Sequence, residues 1–447
     1  MIKRSRAVGY GTAITIGIAT LGMIAPCAIA QDSFQFAKPI VYEFDFDMYP
    51  TSISAGDVNN DGIVDLAISG RNVEGVTLIL LGEGGGQFSA PIEIVVDSQN
   101  DAVAICNLDL NGPLDLVVVM RGGDGTLATF TGVGDGTFID RVDYSVGRYP
   151  SSLVAKDFDN DGDIDFATTN YQSSSVSILL NEGNGALFNS QTIELIGGLQ
   201  GPAFPFHSTS ADFDNDSDID LVIGHLTGSN ISFLRNQGDG SFAWPMILPV
   251  DTPVGVAAAD MNLDGEIDIV MADLLDFNGR VAVLENQGNA VFTGLTTIDT
   301  GGWSWFVATA DLNGDAKPDV AMTDVQSGLL LLMPNESQGD IALGAPDTFL
   351  VIGQPRFILP VNLDGDCDLD LVVAQLGFHK LLILINETQQ LSACTVADLD
   401  GDLQVGTSDL LILFAQWNVA NSFADFTYDG IVDVADLLFL LSHWGVK

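Results

Sequence analysis

Residues 157–165 read Asp157-Phe158-Asp159-Asn160-Asp161-Gly162-Asp163-Ile164-Asp165, and a short strand-like run follows at once. Carboxylates at every second position repel one another unless a counter-charge sits among them. The same frame, Asx-x-Asx-x-Asx-x-x-x-Asp before a short apolar run, starts at Asp57, Asn107, Asp157, Asp212, Asp260, Asp311 and Asn362. Successive starts lie 50, 50, 55, 48, 51 and 51 residues apart. One such nonapeptide arises by chance in an Asp-rich chain; seven at a near-constant period make a repeat protein.

Each period reads as four short strands. In the first, a strand ending at Ala55 enters the acidic turn, and runs over Asp65–Ser69 and Val76–Leu81 follow. A glycine-rich turn and Phe88 then open a fourth strand through Val96. Gly-x-Gly turns recur before Phe138, Phe188 and Phe242, with a degenerate version before Phe292. Four strands per period without helical periodicity predict an all-β repeat: a propeller, an open solenoid or a string of small sandwiches. Closure decides among these. The seventh period ends at Leu381–Asn386 with no fourth strand, whereas Gln35-Phe36-Ala37-Lys38-Pro39-Ile40 matches Gln87-Phe88-Ser89-Ala90-Pro91-Ile92. The N-terminal segment is therefore expected to complete the last blade, closing a seven-bladed ring and removing its exposed edge.

Composition narrows the function. The 447 residues are 47% apolar, with 60 acidic against 15 basic side chains and a net charge of −45. Such a surface repels phosphate backbones and anionic lipid, which excludes nucleic acid and membrane surfaces as expected partners. Lys3, Arg4 and Arg6 precede an apolar run from Ala7 to Ile24, and Ala28-Ile29-Ala30 fits a cleavage site. Residues 1–30 thus read as a secretory signal peptide, and the mature chain as secreted, extracellular or at the cell surface. Pro26 argues against a lipoprotein reading around Cys27. No later apolar run has the length for membrane insertion. Cys106, Cys367 and Cys394 are too few for a disulfide framework, although Cys367 and Cys394 are candidates to bridge the last blade to the C-terminal segment.

The acidic turns suit calcium, a hard cation taking six to eight oxygens. Side chains at positions 1, 3, 5 and 9 and the carbonyl at 7 supply them, with glycine at 6 for the bend. The predicted ligand sets are Asp57, Asn59, Asp61, Ile63 and Asp65; Asn107, Asp109, Asn111, Pro113 and Asp115; and Asp157, Asp159, Asp161, Asp163 and Asp165. Blades four and five offer Asp212, Asp214, Asp216, Asp218 and Asp220, then Asp260, Asn262, Asp264, Glu266 and Asp268. Blades six and seven offer Asp311, Asn313, Asp315, Lys317 and Asp319, then Asn362, Asp364, Asp366, Asp368 and Asp370. Blade three fits fully and blade two least well. Magnesium, which keeps several waters, suits such cages less.

These repeats resemble the FG-GAP/VCBS repeats of the integrin α-subunit propeller and its bacterial relatives, across residues 33–388. The resemblance implies Ca²⁺ between the first two strands of each blade. Ser217, Ala316 and Cys367 at the bend depart from that pattern, as does Asn at position 1 of blades two and seven.

After the propeller, taken as residues 31–390, the pattern changes. Asp398, Asp400, Asp402, Gln404 and Asp409 form one loop-plus-helix motif. Asp425, Thr427, Asp429, Ile431, Asp433 and Asp436 form another, 27 residues on. Residues 391–447 thereby resemble a type I dockerin, a small α-helical calcium-binding module, and the resemblance implies docking to a cohesin-like partner. Thr427 and Leu403 are departures. Thr407 and Ser408, at positions that help contact cohesin in that family, favour the first helix over Val434 and Ala435 of the second.

No catalytic constellation emerges. His207, His225, His379 and His443 stand in no metal or triad spacing and read as structural or surface residues. Loops at the end opposite the acidic turns gather Tyr49, Tyr149, Phe204, Phe206, Trp303, Trp305 and Phe357 with Arg71, Arg121, Arg148, Arg280, Arg356 and Lys380. That mixture is typical of recognition surfaces. The expectation is a non-enzymatic recognition or adhesion protein that binds a protein or glycan there. The alternative is a carbohydrate-active or lectin-like component of an extracellular polysaccharide-degrading assembly.

Overall fold

The computed structural model describes residues 34–388 except 45–47, 72–74, 111, 197–202, 275–277, 352 and 367, together with Leu410, Leu413, Phe414, Val432 and Leu437. The predicted loops at 398–409 and 425–436, Asn111, and the Cys367–Cys394 pair lie outside these residues, as does the signal peptide. Among the described residues no helix is long and apolar enough to cross a membrane.

Seven four-stranded antiparallel sheets follow the predicted order. Blade one is Tyr49–Gly56, Asp65–Arg71, Val76–Leu80 and Ile92–Val95. Its predicted fourth strand is split: Gln87–Phe88 pairs with Gly82–Gly84 before Ile92–Val95 joins the sheet. The two middle strands of a blade are packed on both faces by neighbouring blades, so they are continuously buried rather than alternating; Asp115–Met120 and Asp165–Asn170 are buried throughout, the latter with Thr168, Thr169 and Asn170 inside. Outermost strands have one wet face and alternate, as Ile92–Val95 does.

The ring closes as the sequence match requires. Ile40–Glu43 pairs with Lys380–Leu384 in the register Ile40↔Ile383 to Glu43↔Lys380, completing the sheet of Pro355–Val361 and Asp370–Gln375. Phe36 bridges Asn386 just as the Phe88 region precedes Ile92 in blade one. The innermost strands contact one another all the way round, including Tyr49–Gly56 against Pro355–Val361. Seven apolar clusters result, one per blade interface. The closing one joins Leu66, Ile68 and Leu78 of blade one to Val372, Leu381 and Ile383 of blade seven. Each fully buried aliphatic side chain contributes roughly 1.5–3 kcal/mol by leaving water, so cohesion is shared between blades rather than held within them.

One feature of the innermost strands was not expected. Every one carries a register shift near its start, leaving Thr51, Asp101, Ser151, Phe206, Val254, Trp305 with Phe306, and Arg356 without a paired neighbour. In five blades a proline stands just before the bulge: Pro50, Pro150, Pro205, Pro253 and Pro355. A bulge bends the strand and re-aims its extra residue. The ring therefore presents one irregular position per blade around its centre.

Candidate metal centres and the opposite end of the ring

Each acidic turn joins the first two strands of its blade. The six described position-5 residues stand exposed at the tip, position-1 residues are half-buried, and all seven position-9 aspartates are buried. The turn is prefolded by its own side chains. In blade one the Asp57 carboxylate accepts the N–H of Asp61 at 3.1 Å and of Gly62 at 2.8 Å, and Asp61 accepts from Ile63 at 2.9 Å. Asp260 and Asp311 do the same in blades five and six. In five blades two residues of the turn are left-handed. Position 6 was foreseen, as at Gly162 with φ 95° and Ser217 with φ 74°. Position 4 was not: Asn60, Leu110, Asn160, Asn215 and Leu263 all have φ between 57° and 64°.

Position 9 has a second task that the sequence reading did not assign. In six blades one of its oxygens accepts the N–H at position 2; examples are Val58 to Asp65 at 2.9 Å and Phe158 to Asp165 at 2.8 Å. In all seven the other accepts an N–H just past the third strand, from Gly82, Gly132, Asn181, Asn236, Asn286, Asn335 or Asn386. The five asparagines carry the link onward. Asn286 Nδ2 donates to Phe213 O of the preceding blade's turn at 2.8 Å, and Asn181, Asn236, Asn335 and Asn386 reach Leu108, Phe158, Met261 and Leu312 likewise. A recurring Asn after the third strand, at 181, 236, 286, 335 and 386, was the available signal. Position 7 also joins blades through its side chain: Asn160 donates to Asp218 at 2.7 Å and Asn215 to Glu266 at 2.8 Å.

Donor atoms remain over, and they fit a cation. Asp157 Oδ1 and Asp159 Oδ1 in blade three, Asp214 Oδ1 and Asp220 Oδ2 in blade four, Asp368 Oδ1 in blade seven and Asn107 Oδ1 in blade two are buried with no hydrogen-bond donor. Asp157, Asp159 and Asp165 bring one oxygen each within 4.8 Å of one another, as do Asp212, Asp214 and Asp216. Blade three is the one whose sequence fits the frame fully, and blade four carries aspartate at all five ligand positions. In blade four Arg235 also approaches Asp214, at 2.7 Å. All-oxygen, anionic, convergent donors are the chemistry of a hard divalent cation. Burial pushes Asp165, Asp220 and Asp319 up to about 7, only partly offset by their backbone donors. Asp65, Asp268 and Asp370 rise to about 6 for the same reason.

The opposite end has different chemistry. A cavity of about 250 Å³ lies at the ring's centre, lined by the inner strands of six blades and by every bulged residue except Val254. The Arg356 guanidinium lies 4.2 Å from the Trp305 ring centroid and 5.4 Å from that of Phe206. Arg71 pairs with Asp101 at 2.7 Å, and Arg121 takes the other oxygen of the same carboxylate. Not every predicted cation is available: Arg280 is held by Asp251 and Asp273, and Lys380 pairs with Glu43 on the closing strand. The described histidines are structural. His225 bonds Ala203 O at 3.0 Å and Ser232 Oγ at 2.9 Å; His207 accepts from Val256 N–H and packs on Phe306; His379 bonds Met48 O.

Residues 107–168, 157–223, 212–271 and 260–322 match the family described as FG-GAP-like repeat. No curated protein matches the sequence at a significant level. Among solved structures, virginiamycin B lyase from Staphylococcus aureus superposes with a TM-score of 0.54 at 12% identity, over 78% of this chain and 99% of the lyase. BBS1N, solved in complex with ARL6DN, gives 0.54 at 13% identity, over 80% of this chain and 99% of BBS1N. At these identities the likeness carries the fold alone. Residues 107–322 are thus similar to FG-GAP-like repeats, and they lie within a seven-bladed β-propeller.

Proposed function

We propose that this is a secreted, non-enzymatic recognition protein, clamped by calcium at its acidic turns, that binds a protein or glycan at the channel end. One observation carries the reading: the bulges deliver a non-repeating set of side chains, with Arg356, Trp305 and Phe206 among them, to a central cavity. BBS1N has this fold and was solved with a protein partner, whereas virginiamycin B lyase is named as an enzyme, so fold alone does not choose. Binding is favoured because the described histidines are engaged by the scaffold and the unpartnered carboxylates belong to the acidic turns. Calcium is favoured over magnesium by the number of side-chain oxygens each turn supplies. Residues 391–447 would add a dockerin-like module that docks a cohesin-like partner.

The test is a screen of the full chain against glycans and extracellular proteins, with calcium or with chelator, alongside assays for turnover of any hit. Saturable binding without turnover, weakened by chelator, supports the reading. Turnover of the captured glycan would move the protein to a polysaccharide-degrading assembly, and binding indifferent to chelator would detach calcium from recognition.

A further inference from the structure

We propose that the channel end of the ring is a site for a small hydroxylated carboxylate, the size of one hexuronate ring, gripped by Arg356. This names the ligand of the recognition reading and rests on it. Among the described residues no carboxylate lies within ion-pair distance of Arg356, although the chain carries a net charge of −45. Arg71 and Arg121 share one carboxylate, Asp101, and both lie close enough to Arg356 to add like charge beside it. The local excess is cationic inside a strongly anionic molecule. Burial, with Arg71 and Arg121 adding like charge, pulls the Arg356 guanidinium down to about 9, so it remains a cation at neutral pH and gains from an incoming anion.

Two further features select the rest of the ligand. Trp305 Nε1 is buried without an acceptor. The cavity wall also includes Thr51, Ser52, Ser54, Ser151 and Ser152 beside Phe206 and Trp305; the Thr51 and Ser151 hydroxyls reach Asn100 O and Pro205 O as well, bonds that a ligand hydroxyl would share or replace. A carboxylate meets the planar fork of a guanidinium bidentately, and ring hydroxyls meet serine, threonine and indole donors. At about 250 Å³ the cavity is below the roughly 300–1,000 Å³ that takes drug-sized ligands, so one ring fits and a folded peptide segment does not.

The probes are D-galacturonate, D-galactose and inorganic sulfate, titrated by calorimetry into the calcium-loaded full chain. Galacturonate should bind saturably, and galactose and sulfate at least about tenfold more weakly, since a charge-assisted bond and the ring hydroxyls are both required. Arg356→Gln should weaken galacturonate by about tenfold or more, Arg356→Lys should retain part, and Arg280→Gln should change nothing. Equal binding of galactose, sulfate displacing at equal strength (an adventitious ion only), or an unchanged constant in a folded Arg356→Gln would each overturn the assignment. Should galacturonate fail while the broader screen yields a ligand, this assignment falls and the recognition reading stands; failure in both removes both.

Discussion

The two ends of the ring repeat in opposite ways. At the acidic end the backbone turn and its side chains both recur, with the position-9 aspartate held by the same bond past the third strand in all seven blades. At the channel end only the backbone recurs. Seven bulges occupy equivalent places, yet they carry Thr51, Asp101, Ser151, Phe206, Val254, Trp305 and Arg356. Repeated chemistry builds and braces the scaffold. Repeated geometry with unrepeated side chains is where a closed ring can become specific, because each position can change without disturbing the others.

The strongest way to break this contrast is to remove the cation. Each filled site adds about 2.7 kcal/mol at a hundredfold excess over its dissociation constant, so emptying several should lower the melting temperature by more than ~10 °C. Blade three sharpens the point. Asp159→Ala should destabilise the calcium-loaded protein by roughly 2–3 kcal/mol, yet stabilise the chelated one, because it removes a buried carboxylate that has no donor at Oδ1 and faces Asp157 and Asp161. Calorimetric scans of wild type and variant in both conditions decide it; the same sign in both would mean that the turn holds no cation.

Next in size is the brace between turns. Asn286→Ala takes one of two donors from the buried Phe213 carbonyl, which keeps the Ala290 N–H, and leaves Ile267 O without its Nδ2 donor and Gly288 N–H without its acceptor. The expected cost is on the order of 3 kcal/mol, read by urea unfolding. A cost below about 1 kcal/mol would show that the asparagine clips are incidental. Blades one and two offer the natural contrast, since Gly82 and Gly132 stand where the asparagines do. A Cβ there would meet Val64 O at 2.4 Å and Leu114 O at 2.1 Å, so the clip cannot simply be installed.

How far the sequence could be read follows the same division. The blade count and the closing strand were legible because a nine-residue frame and a six-residue match are local and periodic. Phe36 and Ile40 fall where Phe88 and Ile92 predict, to the residue. The position-9 bonds and the asparagine clips were half legible: the recurring Asn is visible, but its target lies in the preceding blade, more than seventy residues away in sequence. The bulges were least legible. Prolines 50, 150, 205, 253 and 355 mark the strand starts, but a register shift is a property of the paired strand, and the residue it exposes follows no pattern. For the same reason Arg280 and Lys380, which look like their neighbours in sequence, turn out to be paired.

A smaller effect distinguishes the two ends by pH. Burial pushes six of the seven position-9 aspartates up to about 6–7 in the folded chain and raises Asp115 as well, against about 3.9 unfolded. Between those values the folded chain binds more protons than the unfolded one, so stability falls as pH rises. Chelated protein should therefore melt higher at pH 6 than at pH 7.5. His207 and His225, lowered to about 4 by burial, oppose this below pH ~6.5, but they are two groups against six. With cation bound the trend should reverse, since protons must then displace the ion. Chelated protein that melts lower at pH 6 would contradict the assignment of buried, cation-poised carboxylates.

The smallest effect asks whether the acidic turn is formed before any cation arrives. Position 6 is left-handed in five blades, with φ 82° at Gly62, 92° at Gly265 and 64° at Ala316. An L-residue there carries a penalty of roughly 1–2 kcal/mol from its Cβ, whereas glycine carries almost none. Glycine also loosens the unfolded chain, which takes back about 0.4–1 kcal/mol. The Ala316 side chain is exposed and buries nothing, so Ala316→Gly should stabilise by about 0.5 kcal/mol net. The bend is held by Asp311 accepting Ala316 N–H at 2.8 Å, a bond that needs no ion. The gain should accordingly appear in chelator and in calcium alike. If it appears only with calcium, the turn is shaped by the cation, and the prefolded acidic end is wrong; if Ala316→Gly destabilises in both, the left-handed bend itself is wrong.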